Sequence, residues 1–301
     1  MIDVNTCRKP QLQETAYVAC QGVKGAYSQI AANALFKQPD VMYMRTFDGV
    51  FRAVGSGLCR YGVLPLENSN AGSVTDVYDL MKTHKFFIVR SVKVSISHML
   101  LQKTKTGVEK IKEIYTHEQA ARQCSRFLEQ NDHIKINLCA NTAAAAQLVA
   151  ESERTDIAAI ASENCIPLYN LTASSKNIQN NNNNYTRFIC ISKECEIFDN
   201  ADKISLMLSL ENKAGALYEI LKQFAECNIN LVKLESRPIA DTDFEFMFYF
   251  DIQANIENKD VRDLLLRIQK SVKLLAFLGN YSEIVFSPPL PAYAFATASA
   301  N

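Results

Sequence analysis

The amino-acid sequence predicts an α/β fold with two units, and three observations lead to this prediction. Short apolar segments alternate with segments of helical spacing through the first two thirds of the chain. Beyond residue 200 the order changes to β-α-β-β-α-β, which is the split ferredoxin-like motif. A length of 301 residues also agrees with two domains of ordinary size.

The larger unit is predicted from the order of its apolar segments. Its strands are predicted at residues 16–20, 60–64, 86–95, 113–115 and 157–161. Its helices are predicted at residues 30–35, 74–81, 120–128 and 142–149. Ser73, Thr116 and Thr142 are predicted to cap three of these helices, because a hydroxyl can accept a hydrogen bond from the first turn. The alternation predicts largely parallel sheets covered by helices.

The smaller unit follows an asparagine run at residues 180–184, which cannot pack into a core and is predicted to be an exposed loop. Strands of the smaller unit are predicted at residues 204–210, 229–234, 244–252 and 274–285. Its helices are predicted at residues 217–224 and 261–272. We therefore expect one domain at residues 16–195, a second at 202–286 and a tail at 287–301.

Composition excludes several classes of function. The 32 Lys and Arg residues balance 32 Asp and Glu residues, so the chain lacks the positive excess of a general nucleic-acid or membrane-surface binder. Four histidines without paired spacing predict no metal site. Nine scattered cysteines without a C-x-x-C motif are expected to be free thiols. With no secretory signal and no apolar run of about 18 residues, the expected location is the cytoplasm.

Four strand-to-helix junctions carry small polar residues, at 22–28, 65–72, 115–119 and 141–142. In an open α/β unit, ligands bind at such junctions, where the free N–H groups of a helix start suit a carboxylate. For any one junction alone, an ordinary helix cap is the more common explanation. Thr186 and Arg187 begin a further apolar strand, where they could offer a hydroxyl and a guanidinium to one cleft. Taken alone, such a pair more often lies at a strand edge that is exposed to solvent.

Taken together, these segments resemble the prephenate dehydratase family. The similar motifs, in family order, are GVKGAYS (22–28), GVLPLENS (62–69), YTHEQA (115–120), NTAAAA (141–146) and NYTRF (184–188). Residues 215–217 and ESRP (235–238) are similar to the two effector motifs of that family's regulatory ACT domain. The sequence departs from the family pattern at Thr116, Asn141, Asn180 and Ala214.

The resemblance implies a two-lobed, periplasmic-binding-protein-like catalytic domain followed by a ferredoxin-like ACT domain. It implies the conversion of prephenate to phenylpyruvate in L-phenylalanine biosynthesis, with no cofactor. Thr186 would act at the departing hydroxyl, and Arg187 would clamp a carboxylate. Glu67 would either touch substrate or only orient its loop. The full set implied to bind substrate is Ser28, Glu67, Asn68, Ser69, Thr116, His117, Gln119, Thr142, Arg187 and Phe188.

The resemblance also implies feedback regulation by L-phenylalanine in a homo-oligomer, a dimer or a tetramer. The implied effector-binding residues are Asn212, Gly215, Ala216, Leu217, Glu235, Ser236, Arg237 and Pro238. Because no helical segment long enough for a chorismate mutase precedes residue 16, we expect a monofunctional enzyme. Two alternatives stay open. One is an arogenate dehydratase, which differs from a prephenate dehydratase only in that its substrate is an amino acid. The other is a non-catalytic amino-acid sensor with the same cleft.

Overall fold

The computed structural model describes residues 7–10, 15–239 and 245–287. In chain order the strands are β1 (Thr15–Gln21), β2 (Gln38–Met44), β3 (Tyr61–Asn68), β4 (Gly72–Ser73), β5 (Phe87–Ser95), β6 (Met99–Gln102), β7 (Glu113–Thr116), β8 (Lys135–Leu138), β9 (Ile157–Ala161), β10 (Thr172–Ser175), β11 (Tyr185–Ser192), β12 (Lys203–Ser209), β13 (Asn230–Pro238), β14 (Phe246–Gln253), β15 (Leu274–Tyr281) and β16 (Glu283–Phe286). The helices are α1 (Tyr27–Leu35), α2 (Phe47–Gly55), α3 (Thr75–His84), α4 (Glu118–Gln123), α5 (Ser125–Glu129), α6 (Thr142–Glu151), α7 (Cys165–Tyr169), α8 (Ala216–Glu226) and α9 (Lys259–Ser271).

Two lobes make up the larger unit. The sheet of the first lobe has the order β16-β5-β11-β3-β1-β2, with β4 beside β3, and the sheet of the second has the order β10-β6-β9-β7-β8. The chain crosses from the first lobe to the second after β5 and returns before β11. This is the two-lobed arrangement that the family resemblance implies, and it leaves a cleft between the lobes.

The expectation of largely parallel sheets is only partly correct. In the first lobe β1 pairs in parallel with β2 and β3, but β11 is antiparallel to both β3 and β5. In the second lobe β9 is parallel to β7 and antiparallel to β6. The crossing segments explain the difference, since a strand that returns from the other lobe enters the sheet from the opposite end.

The C-terminal domain has the predicted ferredoxin-like topology. Its four strands are antiparallel in the order β13-β14-β12-β15, with α8 and α9 against one face. The other face packs on the first lobe, where its side chains join the same core cluster; the contributors are Met207, Met247, Tyr249 and Leu278. The two domains therefore share a buried interface.

Strand β16 lies in the sheet of the first lobe. Residues 283–286 fall within the range predicted for the smaller domain, yet they pair in parallel with β5 of the first lobe, in the register of Glu283 with Ser91. The last strand of the described residues thus extends the sheet that carries β3 and β11. Apolar periodicity could identify the strand but not the sheet that it joins.

The expectation that the cysteines are free thiols is wrong at one pair. Cys7 and Cys195 form a disulfide with their Cα atoms 4.6 Å apart, and the other seven cysteines are free. The backbones of Arg8 and Glu196 form an isolated parallel β-bridge, which places the segment at residues 7–10 beside the chain that follows β11. The two cysteines are therefore close enough to bond. A separation of 188 residues gives no local signal for such a pairing. Within the described ranges, no helix is both long and apolar enough to cross a bilayer.

Candidate active site

The cleft between the two lobes has a volume of about 410 Å³, within the range typical of small-molecule sites. Seven of the residues predicted to act on substrate line it: Ser28, Asn68, His117, Gln119, Thr142, Thr186 and Phe188. They come from α1, β3, the start of α4, the start of α6 and β11. Residues from both lobes therefore meet around one space, as the strand-to-helix junctions predict.

The hydroxyl of Thr186 is held by Asn68 on the neighbouring strand. The two residues face each other in the β3–β11 register, and Asn68 Nδ2 lies 2.9 Å from Thr186 Oγ1. Asn68 Oδ1 accepts hydrogen bonds from the backbone N–H groups of Asn70 and Ala71, each at 3.0 Å. These two donors fix which end of the amide is oxygen, so Nδ2 can only donate; besides Thr186 Oγ1 it faces Asn184 Oδ1 at 2.8 Å and the Tyr185 carbonyl at 3.1 Å. The Thr186 oxygen accepts, and its own hydrogen is left to donate to a ligand in the cleft.

Several cleft residues were not predicted from the sequence, among them Gln123 and His98. The amide nitrogen of Gln123 lies 3.5 Å from Asn68 Oδ1. The amide oxygen of Gln123 lies 2.8 Å from Nε2 of His98. His98 is only 2% exposed, and burial lowers the pKa of its imidazole, which favours the neutral ring. Gln123 falls one helical turn beyond Gln119, so its position on the predicted helix was the signal that could have identified it.

The caps of the second-lobe helices α4 and α6 differ from the predictions. His117 caps α4 by accepting from Gln119 N–H at 3.2 Å, and burial lowers the pKa of its ring. Asn141 caps α6 by accepting from Ala144 N–H at 2.8 Å. Thr116 is instead fully buried at the end of β7 and donates to the carbonyl of Ile160. Thr142 begins α6 without capping it and faces the cleft.

The remaining predicted cap also has another role. Helix α3 begins after Val74 without a side-chain cap, and Ser73 lies in β4. Its hydroxyl donates to Glu235 of the C-terminal domain at 2.9 Å. The helix predicted across residues 120–128 is divided into α4 and α5 at Cys124.

Arg187, Glu67 and Ser69 do not line the cleft. Strand alternation turns Arg187 to the opposite face of β11 from Thr186 and Phe188, where its side chain is 3% exposed and pairs with Glu67 at 3.1 Å. Ser69 joins its loop to the start of β11, since its backbone N–H donates to the Tyr185 carbonyl and its hydroxyl accepts from Tyr185 N–H. The structure therefore does not place Arg187 where it could clamp a substrate carboxylate.

The residues predicted to bind an effector lie in the C-terminal domain, in two segments. Asn212, Gly215, Ala216 and Leu217 lead into α8, and Gly215 has a φ of 81°, which a glycine adopts without strain. Glu235 and Arg237 on β13 face the first lobe, where they bond to Ser73 and Asp79. Ser236 and Pro238 are exposed on the other face.

Comparison with known proteins agrees with this geometry. The sequence model described as prephenate dehydratase matches residues 18–196. The chain belongs to the prephenate dehydratase family. A bifunctional chorismate mutase/prephenate dehydratase of Enterobacter agglomerans is 35% identical over 272 residues, which are 88% of this chain and 70% of that protein. An arogenate dehydratase/prephenate dehydratase of Arabidopsis thaliana is 34% identical over 275 residues, 88% of this chain and 72% of that protein.

Two solved structures share the fold over nearly the whole chain. A prephenate dehydratase of Arthrobacter aurescens in complex with L-Phe has a TM-score of 0.78 and 26% identity, and the match covers 89% of this chain and 90% of that one. GqqA, described as a novel type of quorum quenching acylase, has a TM-score of 0.79 and 25% identity, covering 92% of this chain and 99% of that one. Membership of the dehydratase family makes this protein a lyase that forms phenylpyruvate from prephenate.

Proposed function

We propose that Thr186 donates a hydrogen bond to the hydroxyl that leaves the prephenate ring. The observation that carries this role is the bond from Asn68 Nδ2 to Thr186 Oγ1, because it orients the threonine hydrogen away from Asn68. Loss of carbon dioxide and water makes the ring aromatic, so the protein has only to hold the substrate and assist one departing oxygen. An ordinary threonine is a poor acid, which favours hydrogen bonding over full proton transfer.

Neutral groups hold the substrate in this proposal. None of the described residues that line the 410 Å³ space around Thr186 is Asp, Glu, Lys or Arg. The polar ones are Gln21, Tyr27, Ser28, Asn68, His98, His117, Gln119, Gln123, Asn141, Thr142 and Thr186. The adjoining cavity adds Glu118 and Arg122, which pair with each other at 2.6 Å. A cation fixed beside the carboxylate that departs would stabilise the ground state, so uncharged donors suit a decarboxylation.

The same lining favours prephenate over arogenate as the substrate. Arogenate carries an ammonium group where prephenate carries a keto group, and a buried ammonium needs an anionic partner. The described residues that line the space around Thr186 offer no carboxylate for that partner, and Glu118 in the adjoining cavity is exposed and already paired with Arg122. Phenylpyruvate and phenylalanine formation should be assayed with each substrate in turn, and a larger kcat/KM for arogenate would reverse this assignment.

We further propose that L-phenylalanine regulates the enzyme through the C-terminal domain of a cytoplasmic homodimer or higher oligomer. A related structure contains L-Phe, and the edge strand β13 exposes Val232 and Leu234, as a strand that meets a second copy would. The effector must bind one global state better than another for inhibition to follow. Turnover measured against added L-phenylalanine tests the proposal, and a flat response up to millimolar effector would contradict it.

A further inference from the structure

Arg187 occupies the centre of a buried ionic cluster between the two domains. One of its nitrogens contacts both Glu67 at 3.1 Å and Asp251 at 2.5 Å. Its Nε atom lies 2.7 Å from Glu283, and its remaining nitrogen donates to the hydroxyl of Tyr281 at 2.5 Å. One guanidinium thus joins β3 of the first lobe to β14, β15 and β16.

The charges in this cluster depend on one another. Burial opposes the charge of the guanidinium, yet Tyr281, Asp251 and Glu283 raise the pKa of Arg187 well above its ordinary value. The carboxylates of Asp251 and Glu283 are only 8% and 9% exposed. Removing one member of such a cluster leaves the charge of its partner unpaired in a buried site, and this favours movement of that partner side chain out of its position.

The cluster lies directly behind the catalytic pair. Across β3 and β11, Thr186 faces Asn68 and Arg187 faces Glu67 in consecutive positions of the register. Thr186 and Asn68 point into the cleft, whereas Arg187 and Glu67 bond on the side of the C-terminal domain. A shift of the Arg187 backbone must therefore move Thr186, to which it is covalently joined.

We propose that Arg187 is a positioning residue, through which Asp251, Tyr281 and Glu283 of the C-terminal segment set the position of the Thr186 hydroxyl. This inference rests on the proposed role of Thr186. It assigns Arg187 a function other than substrate binding, and it makes the C-terminal domain part of the catalytic geometry even without effector. Catalysis is sensitive to such placement, because a misplacement of about 1 Å can lower a rate about 100-fold.

A double-mutant cycle on the full-length protein tests the inference. The variants are Asp251→Asn, Arg187→Gln and the two together, with kcat and KM for prephenate measured without phenylalanine. Asp79→Asn is the matched control, since it breaks another ion pair between the domains, Arg237–Asp79 at 3.3 Å, away from β11. Tyr281→Phe serves as a milder second variant, because it removes one acceptor of Arg187 without changing a charge.

The inference predicts that Asp251→Asn lowers kcat about 10-fold or more with little change in KM, while Arg187→Gln lowers it about 100-fold. The double variant should be no slower than Arg187→Gln alone, because both changes release the same contact. Tyr281→Phe should also lower kcat. If Asp251→Asn does not fold, the result for Tyr281→Phe decides the test. Asp79→Asn should keep the wild-type kcat.

Three results would overturn the inference: a wild-type kcat in Tyr281→Phe and in folded Asp251→Asn, losses that multiply in the double variant, or a rise in KM alone for Arg187→Gln. The last result would return Arg187 to the role of substrate clamp. Failure of the proposed function is separate, since it would leave the wild-type protein without turnover or Thr186→Ala at the wild-type rate.

Discussion

In the role that we propose for it, Thr186 is a weak acid that assists a departing oxygen, and its neighbour Asn68 explains how it can do so. The oxygen of the Asn68 amide accepts from the backbone N–H groups of Asn70 and Ala71, so the nitrogen that faces Thr186 can donate a hydrogen bond but cannot accept one. The threonine hydrogen then has a preferred direction before substrate arrives. Donors placed in advance cost no reorganisation during the reaction, which is how one neutral hydroxyl can contribute substantially.

We predict that Thr186→Ala lowers kcat at least ~100-fold while the protein remains folded. The hydroxyl is lost, but the backbone of β11 and its ladder to β3 and β5 are unchanged. Steady-state kinetics with prephenate measure the effect, and circular dichroism checks the fold. Thr186→Ser, which keeps the hydroxyl, is the matched control and should retain most of the rate. Near wild-type turnover in Thr186→Ala would remove this residue from the reaction.

At the scale of single residues, most of the residues that the sequence predicted to act on substrate line the cleft, but their hydrogen bonds were not predicted. Ser28, Asn68, His117, Gln119, Thr142 and Phe188 line the same space as Thr186. Thr116 does not, because its hydroxyl is used by the Ile160 carbonyl. Which of two adjacent polar residues caps a helix depends on backbone angles, so Asn141 and His117 took the roles predicted for Thr142 and Thr116.

At the scale of elements, β11 carries two functions on its two faces. Thr186 and Phe188 line the cleft, and Arg187 between them joins the interface with the C-terminal domain. Period-two alternation is a property of any strand, so the sequence already places Arg187 opposite its neighbours. The strand pairs with β3 and β5 on its two edges, which leaves both of its faces to contact other parts of the molecule.

Strand β15 approaches the first lobe so closely at Gly279 that only a glycine fits. A β-carbon built there would lie 2.0 Å from the carbonyl oxygen of Ile88, and the φ of Gly279 is 149°. We predict that Gly279→Ala lowers the free energy of unfolding by about 1–3 kcal/mol, because backbone must move to relieve the contact. Urea denaturation measures the loss.

Gly57→Ala is the control for the Gly279 prediction. Gly57 also has a positive φ, of 78°, but a β-carbon there would meet nothing within 4 Å. The control therefore carries the conformational strain of the backbone without the steric contact. If both variants lose the same stability, close approach to Ile88 is not the reason for a glycine at residue 279.

At the scale of the whole molecule, the interface between the domains contains charges whose ionisation contributes to stability. Burial alone would raise the pKa of Glu283, but Arg187, Lys203 and Lys93 outweigh it and lower this pKa to about 2. For Glu67, likewise, the hydrogen bond from Lys233 and the charge of Arg187 outweigh burial and lower the pKa. Both carboxylates therefore remain ionised in the folded protein at pH values where the unfolded chain takes up protons.

We predict that stability falls with pH below the ordinary carboxylate pKa of about 4.5 and continues to fall toward pH 2. The sign follows because the unfolded state binds more protons in this range, so acid favours unfolding. Urea denaturation at a series of pH values measures the slope. Glu283→Gln should reduce it, whereas Glu153→Gln, whose side chain is 98% exposed, should leave it unchanged. An equal slope in Glu283→Gln and wild type would contradict the prediction.

The sequence by itself determined the α/β class, the ferredoxin-like order of the C-terminal domain, the family and seven of the residues that line the cleft. These depend on local periodicity and on motifs that are contiguous in the chain. Strand β2 was not predicted, because its apolar residues do not alternate cleanly with polar ones and none of its residues is fully buried. Helix α2 was also missed, although Phe47, Val50, Phe51 and Val54 follow helical spacing and could have identified it.

Only the tertiary structure decided what lies against each face. The partners of Arg187 are 64, 94 and 120 residues away in the chain, at Asp251, Tyr281 and Glu67. Likewise, the disulfide joins Cys7 to Cys195, and β16 leaves its own domain to pair with β5. Alternation along a strand defines two faces, but the packing of distant segments determines which face meets substrate and which meets another domain.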